Sequence, residues 1–129
     1  MTSKENSLNW FEISVADINR AKQFYETIFG IKLELQKMMG MEMEMASFPY
    51  EPGGGKAAGA LVQSQMHKPS KEGVKIYLNG NPDLSQVLSK VESAGGKVSM
   101  PKTKISDDIG FMAFFEDTEA NSIGLHSQK

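Results

Sequence analysis

Asp17-Ile-Asn-Arg-Ala-Lys-Gln-Phe-Tyr-Glu-Thr-Ile-Phe-Gly30 decides the architecture, because this stretch carries its own start, stop and buried face. Asp17 is a natural N-cap whose carboxylate can accept from the free amides of a first helical turn. Ile18, Ala21, Tyr25 and Ile28, with Phe24 beside them, recur at helical spacing and form one apolar stripe. Gly30 supplies the left-handed residue that ends a helix. Just upstream, residues 10–15 (Trp-Phe-Glu-Ile-Ser-Val) alternate, with the strand placed over residues 12–15. Phe11, Ile13 and Val15 share one face, which the helix should cover, while Trp10, Glu12 and Ser14 share the other.

The same order returns downstream. Residues 75–78 alternate, Asp83 opens a helical run to Ala94, Gly95 and Gly96 close it, and residues 97–100 are extended again. Asp17 and Asp83 stand 66 residues apart, as do Gly30 and Gly96, about half of the 129-residue chain. A duplicated β-α-β unit is the economical reading. Between the helices, residues 32–37 and 41–45 suit a hairpin turning at Gly40, 52–55 a glycine-rich loop, 57–63 a small-residue strand and 66–73 a polar connection. Pro101 is expected to break the strand begun at Lys97. Residues 106–110 read as a loop, 111–115 as a strand, 117–121 as a turn and 122–127 as the last strand. The expected fold is α+β: one domain of two β-α-β-β-β modules, about 8–64 and 73–128, whose curved sheets have helices on one side and a concave cleft on the other. A small molecule would sit on the concave face.

Composition narrows the function classes. Net charge is -2 and the basic residues are scattered among acids, so no basic stripe marks a nucleic-acid surface. There is no cysteine, which excludes disulfides, thiolate metal sites and thiol nucleophiles. Residues 1–9 are polar and lack the apolar region of an export signal, and no apolar stretch approaches membrane-spanning length. A cytoplasmic protein without nucleic-acid or membrane partners is expected. Residues 52–56 lack the spacing of a phosphate loop and precede a strand rather than a helix, so they read as a flexible lid or spacer.

The doubled β-α-β-β-β order, the segment 17–30 and the segment Phe115-Glu-Asp-Thr-Glu-Ala-Asn-Ser-Ile-Gly-Leu125 resemble the vicinal oxygen chelate superfamily. Its members include glyoxalase I, extradiol dioxygenases and bleomycin- and fosfomycin-resistance proteins. The resemblance runs from Asn9 to Ser127. Capping, packing and the closing glycine account for Asp17, Ala21, Phe24, Tyr25 and Gly30 without chemistry, so the motif indicates fold, and function has to be argued from the site.

Enzymes of this superfamily hold one divalent metal with His or Glu from four strands. Aligned by the motif, those positions here fall on Trp10, on Lys75 and on Gly124, and the strand 57–63 offers neither histidine nor acid. An indole, an ammonium and a glycine cannot coordinate a cation. No cofactor is therefore expected, a divalent metal ion being the alternative. The resemblance also implies a homodimer, since many relatives complete their clefts with a partner chain.

Strand alternation places Trp10, Glu12, Ser14, Lys75, Tyr77, Asn79, Gly124 and His126 on the concave face. Trp10 and Tyr77 offer flat apolar surface with a polar handle. Glu12 and Lys75 suit pairing with each other or with charges on a ligand. His126 near a carboxylate would suit proton transfer but lies close to the C-terminus, and His67 reads as a solvated loop residue. Met38, Met39, Met41, Met43 and Met45 cluster around the hairpin; Met41, Met43 and Met45 share a face that suits a core, an adaptable pocket or a subunit contact, with Glu42 and Glu44 on the other face. The ligand-binding set is thus Trp10, Glu12, Ser14, Lys75, Tyr77, Gly124 and His126, with no catalytic residue assigned. The expected function is metal-independent binding of a small organic molecule. The alternatives are a metal-dependent lyase or isomerase resembling glyoxalase I, and a structural or interaction module without a ligand.

Overall fold

A computed structural model describes residues 1–38 and 42–129 of the chain. The hairpin turn expected at Gly40, and Met39 and Met41 with it, lie outside the described residues. The first module comprises β1 (Trp10–Ser14), α1 (Ile18–Phe29), β2 (Glu34–Met38), β3 (Met43–Ser47) and β4 (Ala58–Gln63). The second comprises β5 (Tyr77–Asn79), α2 (Ser85–Leu88), β6 (Lys97–Ser106), β7 (Gly110–Glu116) and β8 (Ser122–Ser127). Each module forms a curved four-stranded sheet, ordered β1-β4-β3-β2 and β5-β8-β7-β6. The two orders are equivalent under the repeat. In both, the first and last strands of the module pair in parallel, and the remaining pairs are antiparallel.

The helix α1 forms where its sequence dictates. Asp17 is extended at φ -135° and its carboxylate accepts from the Asn19 and Arg20 amides, both at 3.1 Å. Gly30 ends the helix at φ 64°, a conformation costly for any residue with a Cβ. Ile18, Ala21, Phe24, Tyr25 and Ile28 are all buried, against a sheet face that includes Ile13, Ala46 and Leu61. Each large side chain removed from water there contributes about 1.5–3 kcal/mol.

The second module departs from expectation in three places. Its α-helix covers only Ser85–Leu88, not 83–94. Beyond it the backbone tightens into i to i−3 bonds, Lys90 N–H to Val87 O at 3.0 Å and Val91 N–H to Leu88 O at 3.2 Å. The hydroxyls of Ser89 and Ser93 also bond back to the Gln86 and Lys90 carbonyls, which weakens a regular helix. Leu84, Val87 and Val91 are nevertheless buried at helical spacing. β5 starts at Tyr77, so Lys75 lies before the strand. Finally, β6 runs through Pro101 instead of stopping there. It is an edge strand, and its register against β7 shifts between Met100 and Thr103, so the missing proline N–H is accommodated.

One apolar core spans both modules. Phe24 and Tyr25 of α1 pack on Phe115 of β7, with ring centroids 5.8 and 6.3 Å apart. The turn 117–121 clasps the first module to the second through polar groups. Glu119 accepts from Arg20 at 2.7 and 2.8 Å and from the Ala16 and Asp17 amides at 2.9 Å. Tyr25 Oη–H donates to Asp117 at 2.8 Å, and Asn121 Nδ2–H donates to the Ser14 carbonyl at 2.8 Å. Among the described residues no helix is long and apolar enough to cross a membrane.

Candidate functional site

The side of the first sheet away from α1 carries a connected row of polar side chains. Strand alternation turns Ile13 into the core and leaves Trp10, Glu12 and Ser14 on the open face, Trp10 at 37% exposure. Tyr50 meets the Trp10 ring edge-on, with centroids 6.0 Å apart and planes at 81°. The Trp10 Nε1–H donates to Glu12 Oε2 at 3.3 Å. The other carboxylate oxygen, Glu12 Oε1, lies 2.9 Å from His67 Nε2. On the far side of the ring, His67 Nδ1 lies 2.7 Å from Ser64 Oγ, which also accepts from the Met66 amide at 3.1 Å.

The direction of this row follows from donor and acceptor capacity. A carboxylate only accepts, so in the neutral imidazole Nε2 carries the proton given to Glu12 and Nδ1 is left as an acceptor. The Ser64 hydroxyl, already holding the Met66 N–H, donates to Nδ1. Protons therefore point from Ser64 to His67 to Glu12. A tight turn at the end of β4 makes this possible, because residues 64 and 67 bridge and swing the ring back toward β1.

Two hollows flank the row. One of about 930 Å³ is lined by Ser64, His67 and Lys68 with Lys37, Glu44 and Gln63. The other, about 320 Å³, runs along the junction with the second module and is lined by Trp10, Glu12 and Ser14 with Val74, Ile76 and Ser122. Lys68 borders both, and the Glu12–His67 pair stands between them.

The remaining expected residues lie elsewhere. Tyr77 and His126 line a separate hollow of about 400 Å³ on the second sheet, with Asn79, Ile105 and Met112. His126 Nε2–H donates to the Ile109 carbonyl at 2.7 Å, so that nitrogen is held by the backbone rather than by a carboxylate. Tyr77 packs edge-on to Phe114, centroids 5.3 Å apart, and lies over Gly124. Lys75 is exposed and its ammonium donates to the Lys71 carbonyl, so Glu12 takes His67 rather than Lys75 as its partner. The structure thus keeps Trp10, Glu12 and Ser14 together, groups Tyr77, Gly124 and His126 on the other sheet, and leaves Lys75 outside both sets.

His67 is the residue that sequence reasoning missed. Its side chain is only 18% exposed and is held from both nitrogens, unlike the solvated loop residue expected. The local Ser64-x-x-His67 spacing was the available signal. Its significance depends on Glu12, which lies 55 residues away.

The metal positions of the resemblance do not fit a cation. Trp10 presents an indole already donating to Glu12, Lys75 stands before β5, and β4 carries no histidine or acid. A Cβ on Gly124 would lie 2.6 Å from the Tyr77 ring, so no ligand-bearing side chain fits there with Tyr77 as it stands. Among the described residues no three His, Asp or Glu converge.

The strongest electrostatic perturbations belong to the clasp between modules. Burial pushes the Glu119 carboxyl up, but hydrogen bonds from Arg20, Thr118 and the Asp17 and Ala16 amides outweigh it and hold it at about 2. Burial raises Asp117 despite its hydrogen bonds from Asn121 and Tyr25. Burial also raises the Tyr25 hydroxyl well above its ordinary value, with the Asp117 charge adding to it. These groups are fully engaged with one another and serve the fold.

Comparison with known proteins agrees with this architecture. A "Glyoxylase-like domain-containing protein" of Didymella fabae is 28% identical over 123 residues, covering 89% of this chain and 88% of that protein. The glyoxylase-named CFP32 of Mycobacterium bovis is 28% identical over 127 residues, and the chain spans only 46% of its length. Among solved structures, glyoxalase I from Zea mays superposes with a TM-score of 0.71 at 18% identity, over 92% of this chain and 45% of that one. TnmS3, an antibiotic binding protein from Streptomyces sp. CB03234, superposes at 0.67 with 22% identity over 96% and 97%. At these identities the structures speak for the fold alone. Residues 7–125 match the Glyoxalase/Bleomycin resistance protein/Dioxygenase superfamily, to which the chain therefore belongs.

Proposed function

We propose that this protein binds a small organic molecule by direct side-chain contact on the open face of its first sheet, without a resident metal, and that it does so as a homodimer. The observation that carries the reading is the exposed Trp10 indole, steadied by Tyr50 and Glu12 on the wall of the hollow that runs along the junction with the second module. An ordered aromatic surface next to fixed polar groups suits a planar or partly apolar ligand. The fold of TnmS3, which is named for antibiotic binding, supports the same class of role.

Thermal shift against a metabolite library tests the proposal. Specific stabilisation by one compound class, retained after exhaustive metal removal, is the expected result. The likeness to maize glyoxalase I keeps a second reading, a metal-dependent lyase or isomerase, in contention. A methylglyoxal-glutathione assay with added nickel or zinc separates the two: turnover that depends on metal would replace the binding proposal. The absence of stabilisation by any compound would leave a structural or interaction module. Light scattering checks the homodimer.

A further inference from the structure

The geometry points to Ser64 as a nucleophile for acyl transfer, with His67 as its base and Glu12 orienting the imidazole. The inference rests on the reading of this face as the ligand site. A nucleophile and base within hydrogen-bond reach, with the base held by a third group, is the arrangement that activates a serine. Here the contacts are 2.7 Å from Ser64 Oγ to His67 Nδ1 and 2.9 Å from His67 Nε2 to Glu12 Oε1. With Nε2–H given to Glu12, the Ser64 hydroxyl donates to an unprotonated ring nitrogen. Ser64 and His67 both line the larger hollow, so a substrate resting there lies beside the pair. The Trp10 indole caps the other end of the row and fixes the second oxygen of Glu12. Such a chain of bonds holds the imidazole in one orientation.

The substrate class is a small ester. Ser64 Oγ attacks the carbonyl carbon while its proton passes to His67 Nδ1. The carbon–oxygen bond to the leaving alcohol then breaks, and the alcohol takes the proton from His67. Water, deprotonated by His67, attacks the acyl-serine and returns a carboxylic acid and free Ser64. Lys68, a cation bordering the same hollow, supplies positive charge for the oxyanion formed in each half.

A fluorophosphonate probe tests this on the wild-type protein, since it needs no substitution. Attack by Ser64 forms an oxygen–phosphorus bond and expels fluoride, and peptide mapping locates the adduct. A single adduct on Ser64, slowed about 100-fold or more by His67→Gln and by Glu12→Gln, is expected. Hydrolysis of p-nitrophenyl acetate should fall to the uncatalysed rate in Ser64→Ala. No adduct, an adduct at another residue, or ester hydrolysis unchanged in Ser64→Ala overturns the assignment and leaves Ser64 as the cap of its turn. Thermal shift of the wild type with the metabolite library reads binding separately. Stabilisation without labelling sinks the acyl-transfer inference alone, whereas loss of both removes the ligand site itself.

Discussion

Two side chains of the first module have different burdens, and substitution separates them. Trp10 is part exposed and contributes little to the core, so Trp10→Ala should abolish binding of a stabilising compound while the melting temperature of the free protein stays close to wild type. Loss of folding instead would place Trp10 in the structure rather than the site. Arg20 does the opposite. Its guanidinium makes a two-pronged contact with Glu119, whose side chain is fully buried, and Arg20→Met leaves that carboxylate without its charged partner. Urea denaturation should show a loss of about 2 kcal/mol with ligand binding retained. Glu12 and His67 illustrate what a sequence conceals at this scale. Alternation placed Glu12 on the open face, but its partner was decided by a turn at the end of β4 and by strand pairing, and neither fact resides in the residues near Glu12.

The helices differ in how much of their form was written locally. For α1 the cap, stripe and closing glycine sit inside fourteen consecutive residues, 17–30, and all act where the sequence places them. Gly30→Ala forces a Cβ into the left-handed region and should cost about 1 kcal/mol in a denaturation experiment. In the second module the same signals are diluted. Asp83 Oδ1 accepts from both the Ser85 amide and Lys102, each at 2.9 Å, and serines along the run bond back to carbonyls. A helical run was legible, its shortening to one regular turn was not. Pro101 misled for a related reason: its effect depends on whether its strand is central or at an edge, which is a property of the sheet.

For the whole molecule, the clasp at residues 117–121 links modules whose helices pack on one core, so its titration should be felt as global stability. Glu119 falls from an ordinary 4.5 to about 2 on folding. Its contribution is therefore fully present above the unfolded value and disappears as pH drops through the folded one. Asp117 is raised and acts in the opposite sense, so the Glu119 contribution is read by difference. Stability measured from pH 6 to about 2 should fall more steeply in wild type than in Glu119→Gln. Equal slopes would show that the carboxylate is not held as described. The duplicated architecture was legible because each module repeats the same signals. The division of the candidate residues between two sheet faces was not, since alternation tells which way a side chain points but not which other strand it meets.

The most direct test is the affinity of the most stabilising compound for protein stripped of metal, set beside the metal content of the protein before stripping. Unchanged affinity after stripping, lost in Trp10→Ala, is the predicted result. One tightly held ion per chain, whose removal abolishes binding and whose return restores it, would contradict direct recognition by the first sheet.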